Sequence, residues 1–253
     1  MRKLVLLAAL LSLTVQAQTV VEVNSHTMLR LPVTAQVLVL ERLRIADHGT
    51  LLVPAGLSEI SISELYLGRE ARIAVAPSEQ ALRLKVAQGE IADGAQITAR
   101  GAPGTYQSLA LPGRTLVIRL ERVVTENLLI DVRGGAGVPG YSGLDGADGK
   151  AGGCAWGEAS RGHDGLDGGD GQVGAAGGRV RLEVPMDFPA DRMRVRVGGG
   201  EGGVAGKGGN PGAGGASTGC WLYSVDGARS GRPGQPGVAG VQGASGAVDV
   251  VRF

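Results

Sequence analysis

Between residues 43 and 99 the apolar positions alternate instead of following a helical spacing. Leu43-x-Ile45 is followed by Leu51-x-Val53, then Leu65-x-Leu67 by Ile73-x-Val75, then Leu84-x-Val86 by Ile97-x-Ala99. A period of two is that of a strand with one buried face. The first two units match residue for residue at an offset of 22. The third has the same parts and a longer connection holding Gly89 and Gly94. Gly49, Pro54, Gly56, Gly68 and Pro77 supply corners. One such unit cannot bury its inward Leu, Ile and Val side chains, whereas a stack of them makes a continuous core. The pattern predicts a short parallel β-solenoid over residues 18–133, with Val117–Val132 adding a further rung or two. A hairpin sandwich would need tight two-residue turns, and Asp93-Gly94 is the one candidate.

After residue 133 the pattern changes. Glycine recurs at every third position in four runs, 134–152, 162–177, 200–215 and 231–246. Strand-like segments 179–184, 193–197 and 248–253 lie between and after them. The order strand, run, loop, run, strand occurs twice. Cys154 follows Gly134 by the same 20 residues that separate Cys220 from Gly200.

A period of three suits polyproline-II geometry, which puts every third side chain on one edge. Glycine on that edge lets neighbouring backbones approach closely. Collagen uses the same period, but Pro139, Pro211, Pro233 and Pro236 are few for it, and the runs are short and interrupted. The runs GAGVPGYSGLDGADGKAGG and GHDGLDGGDGQVGAAGG resemble the glycine-rich polyglycine-II domains of bacteriophage tail-tip adhesins and springtail antifreeze proteins. That resemblance implies side-by-side helices in one chain with loops crowded at the ends. The expected fold is therefore all-β and irregular, a solenoid followed by a bundle of two antiparallel hairpins. Run three carries extra glycines at Gly199, Gly202, Gly208 and Gly214, which predicts a central position for it.

Composition sharpens the division. Of 45 glycines, 37 lie in residues 134–253, and aromatics make up only 3% of the chain. Lys and Arg (25) balance Asp and Glu (24), which gives no electrostatic case for nucleic acid or an anionic membrane. Met1-Arg2-Lys3, the apolar stretch from Leu4 to Leu13, and Val15-Gln16-Ala17 read as a signal peptide cut between Ala17 and Gln18. The stretch is short for a membrane span, so the expected product is exported, periplasmic, cell-surface or extracellular, with no span in the mature chain. In an oxidising compartment two cysteines favour a bridge. Their matching spacing predicts a Cys154–Cys220 disulfide at the far end of the runs.

Candidate chemistry is sparse. Asp145 and Asp148 share one edge of run one, and Asp164, Asp167 and Asp170 share one edge of run two. Such a ladder is a weak candidate for Ca²⁺; solvation of a glycine bundle is the favoured reading. His163-Asp164 are neighbours in an extended chain and point to different edges, and no nucleophile motif accompanies them. No cofactor and no catalytic residue is expected. The loops after runs one and three carry Trp156, Trp221 and Tyr223 beside the cysteines. Such rings either close the bundle end as a plug or present a contact surface to a glycan or a cell-surface protein. The leading expectation is a non-enzymatic, exported adhesive module whose fold is complete in one chain. The alternatives are a structural envelope or extracellular component, including a collagen-like trimer, and a polysaccharide-acting β-solenoid enzyme.

Overall fold

The computed structural model describes residues 19–32, 36–155 and 157–253. The expected cleavage point at Ala17 and Gln18 lies outside them, as does Trp156. The described chain is all-β apart from one 3-10 turn at Ala190–Arg192. Its strands in chain order are β1 (Val20–Val23), β2 (Met28–Arg30), β3 (Val37–Ile45), β4 (Thr50–Val53), β5 (Glu59–Leu67), β6 (Arg72–Val75), β7 (Leu82–Ile91) and β8 (Ala95–Thr98). They continue with β9 (Leu116–Thr125), β10 (Leu128–Asp131), β11 (Val180–Val184), β12 (Met193–Arg196), β13 (Thr218–Gly219), β14 (Ser224–Val225) and β15 (Val248–Arg252).

Two parallel sheets take all of these strands but β13 and β14 alternately. Sheet A runs β1-β3-β5-β7-β9-β11-β15, and sheet B runs β2-β4-β6-β8-β10-β12. Leu43 pairs with Leu65 and Ile45 with Leu67 in sheet A, while Leu51 pairs with Ile73 and Val53 with Val75 in sheet B. All eight are buried, as their alternation requires. The third unit differs from its sequence reading. Leu84 and Val86 pair with Ile60 and Ile62, and the partner of Leu65 is Gly89, inside β7. Strands β3, β5, β7 and β9 are longer than the triplets suggest, and their pairing skips one position midway. The pairing passes over Glu41, so Leu40 and Leu43 both turn inward across a broken alternation.

The A-to-B corners hold a column of left-handed residues: His26, His48, Glu70 and Gly94, with φ of 55°, 59°, 53° and 73°. The His26 and His48 rings stack at 4.7 Å. At the other corner, connections 54–58 and 76–81 are short, then lengthen to 99–115, 132–179 and 197–247. The glycine runs are therefore two long excursions from one corner of the stack. The strands that flank them join the sheets, and Val180, Leu182, Val184 and Phe188 belong to the same core cluster as the first half.

Within the excursions the sheet ladders continue with a new period. Val132 N donates to Arg196 O at the end of sheet B, and Gly134, Gly137 and Gly140 then donate to Gly198, Glu201 and Val204. Run one thus extends β10 beside run three, which extends β12. In the same way Gly174 and Gly177 donate to Val241 and Ala244 below the β11–β15 pair. What separates the sheets is a side-chain core, and along the runs that core is replaced by hydrogen bonds between the layers. Leu166 N donates to Leu144 O, Gly206 N to Gly169 O, and Gly237 N to Gly206 O. None of the run glycines in 162–177, 200–215 or 231–246 lies at positive φ. They are required because a Cβ there would overlap a neighbouring carbonyl, as at Gly206 against Tyr141 or Gly168 against Gly206.

The centre of this array differs from expectation. Run three bonds to runs one, two and four, and run two equally bonds to runs one, three and four. Both are central. Run two holds only one further glycine on a second edge within its length, Gly169, and the Tyr141 ring lies against that bare position. A short third excursion also joins the base. Gly101 donates to Arg133, just before run one, Gly104 to Ala136 of run one, and Gly113 to Ala176 of run two.

Candidate functional site

At the far end of the runs Cys154 and Cys220 form a disulfide, with Cα atoms 5.7 Å apart. The matching spacing from Gly134 and Gly200 has brought them to equal height. Parallel runs one and three keep a constant hydrogen-bond offset along their length. A disulfide belongs to an oxidising, extracellular or periplasmic setting. Among the described residues no helix is long and apolar enough to cross a membrane.

Cys220 opens a small antiparallel hairpin. Thr218 and Gly219 of β13 pair with Val225 and Ser224 of β14, and Cys220 N donates to Tyr223 O at 2.7 Å. Trp221 and Leu222 therefore stand at the apex. Two bonds besides the disulfide fix the hairpin on the end of run one: Thr218 Oγ1 donates to Gly152 O at 2.7 Å, and Tyr223 Oη donates to Cys154 O. The short loop is thus attached at three points. Trp221 is 95% exposed, Leu222 82% and Tyr223 54%. At that exposure Trp221 is not packed against the ends of the runs. Leu222 escapes a search for aromatics; its place between Trp221 and Tyr223 in a Cys-anchored loop is the signal that marks it.

The five aspartates occupy a different place and do a different job. Asp145 and Asp148 each accept a backbone N–H of run three, from Asn210 and Ala213, at 2.6 Å. Asp164, Asp167 and Asp170 accept from Arg232, Gln235 and Val238 of run four at 2.7 Å. In each case the carboxylate reaches the parallel neighbour and satisfies an amide that faces outward. Arg161 adds an ion pair to Asp164 at 2.8 Å. The carboxyl of Asp164 thus engages Arg161 and the Arg232 amide, while His163 contributes its backbone N–H to Ala147. Among the described residues no group of three or more His, Cys, Asp or Glu side chains is gathered at metal-binding distances.

Two buried charges sit where the stack passes into the runs. Asp131 is the last residue of β10. Burial alone would raise its carboxyl, but the hydrogen bonds and charge of Arg133, with help from Arg100, hold it below the ordinary range. Arg133 Nη2 lies 2.7 Å from Asp131 Oδ2, and Arg133 itself is raised, chiefly by that bond. Arg114 is buried with no carboxylate partner; desolvation lowers its guanidinium from the usual value.

No protein-family model matches the chain, and neither characterised proteins nor solved structures give a match.

Proposed function

We propose that this chain is an exported, non-enzymatic binding module: a β-solenoid base carrying a polyglycine-II arm whose tip contacts a glycan or protein on a cell surface. Alternation of consecutive strands between two parallel sheets supports the solenoid reading. Hydrogen bonds at every third residue between four runs of one chain support a polyglycine-II bundle over a collagen-like trimer.

The observation that carries the function is the apex Trp221-Leu222, exposed yet held by the disulfide, Thr218 and Tyr223. Exposed apolar area on a rigid loop is what recognition uses, because little ordering entropy is lost on contact. The five aspartates each accept a backbone amide of a neighbouring run, which accounts for their regular spacing without other chemistry. The decisive comparison is the wild-type chain against Trp221→Ala with Leu222→Ala, assayed for binding to whole cells and to immobilised surface glycans. Unchanged melting with binding lost supports the tip as the contact. Undiminished binding by the double variant refutes it.

A further inference from the structure

The far end of the β-stack is stepped. Among the described residues sheet A has seven strands and sheet B six, so β15 has no strand facing it across the core. The inward column shows the effect. Val180 and Leu182 of β11 are buried, but their neighbours Val248 and Val250 on β15 are 40% and 50% exposed. On the other side Met193 and Val195 of β12 pack against the core only in part. Both β15 and β12 are edge strands with an unpaired side, and an apolar unpaired edge invites another strand.

We propose that two copies of the chain join through this step, each β15 pairing with β12 of the other. Sheet A strands run one way and sheet B strands run back. A two-fold axis along the strand direction, midway between the sheets, exchanges sheet A with sheet B and reverses the stack. It places the extra strand of each copy where the other sheet B ends, antiparallel to β12. Both sheets then continue across the junction, and Val248 and Val250 meet Met193 and Val195 in one closed core. The contact is isologous and self-limiting, as most homodimers are. Head-to-tail stacking of β1 on β15 fails the same test: among the described residues β1 and β2 make a complete rung, so a gap beside β12 would remain.

Charge fits the pairing. On the outer face β15 carries Asp249, and β12 carries Arg194 and Arg196. None of the three makes an ion pair or side-chain hydrogen bond within the chain, among the described residues. Antiparallel pairing sets Asp249 of one copy among the two arginines of the other. Because the axis preserves strand direction, both arms leave the dimer on the same side. Two tips then face one surface, and the second attachment becomes intramolecular.

The mass of the disulfide-intact chain in solution tests this independently of what the tip binds. The expected result is twice the single-chain mass, with Val250→Asp giving a folded monomer by circular dichroism. Asp249→Arg weakens the dimer by about tenfold or more, and adding Arg194→Asp to it restores the dimer. A wild-type chain of single mass at about 100 µM, where a Kd near 1 µM would leave the dimer dominant, overturns the proposal. So does a dimer indifferent to both Val250→Asp and Asp249→Arg, or a double charge reversal that fails to recover what Asp249→Arg lost.

Discussion

Arg114 Nε donates to Gln80 O at 2.7 Å from a side chain with no solvent exposure. Its Nη1 reaches Ala76 O at 3.3 Å, and its Nη2 donates to Leu57 O. One guanidinium thus ties three successive connections of the same corner, 54–58, 76–81 and 99–115. Carbonyl dipoles alone receive the charge. Arg114→Ala leaves these acceptors buried without donors and is expected to cost about 3 kcal/mol or more, at ~1–3 kcal/mol for each unsatisfied group. Arg114→Lys should recover little, since an ammonium cannot span the same fork. Urea denaturation of the two variants checks both statements.

Acid should loosen the junction between stack and arm. Asp131 has a folded pKa below its ordinary value of 3.8. The unfolded chain therefore binds its proton more readily than the folded one, and stability rises with pH across that window. The contribution is complete above the ordinary value and is lost as pH falls through the lower folded value. Asp131→Asn should flatten this acid limb and lower stability near neutral pH, where Arg133 and Arg100 lose their partner. Melting temperature followed from about pH 2 to 6, the range over which carboxylates titrate, gives the comparison.

Close packing of the runs predicts a sharp contrast between neighbours. A Cβ at Gly206 would overlap Tyr141 O and crowd Gly169 N, and one at Gly209 would overlap Leu144 O. Gly206→Val or Gly209→Val must separate backbones, with a loss above 3 kcal/mol or failure to fold. Lys207→Ala, between them and exposed, should stay within about 0.5 kcal/mol. At Gly219 an added Cβ meets nothing within 4 Å, so Gly219→Ala is the tolerated glycine change. Thermal melts of the set suffice.

The aspartate ladder separates hydrogen bonding from solvation. Asp167→Asn keeps an oxygen for the Gln235 amide, and Asp167→Ala does not. If the bond matters, Ala costs about 0.5–1 kcal/mol and Asn less; if only charge matters, the two variants are equally affected. Hydrogen exchange at Gln235 reports the bond directly, with faster exchange expected in Ala alone.

Much of this was readable in the residues, and the limits are physical. Leu43 through Val75 announce their inward side because a strand has period two. Leu40, Ile60 and Ile62 do not, since the skipped positions at Glu41 and Ser63 reset that period within β3 and β5. Gly89 looks like a corner, yet it fills an inward position of β7, because glycine spacing alone does not distinguish a turn from a gap in a column. The Cys154–Cys220 disulfide followed from the matching spacing of the two cysteines. That run two shares the centre with run three depends on how the four runs tile, which no single run encodes. The role of the aspartates was hidden for the same reason: each serves an amide 65 or 68 residues away, on a neighbour known only once the runs are assembled.

The change from a side-chain core to hydrogen-bonded layers gives the two ends of the molecule different responses to temperature. Unfolding the stack uncovers Leu, Ile and Val, which raises the heat capacity. Unfolding the runs uncovers mostly peptide groups, whose opposite contribution offsets that of their few apolar side chains. The arm accordingly has an enthalpy of unfolding that hardly varies with temperature. Its stability falls steadily on warming and lacks the cold-side decline that the stack inherits from its apolar interior. A chain of this construction keeps its tip ordered in the cold for reasons unconnected with the hydrophobic effect.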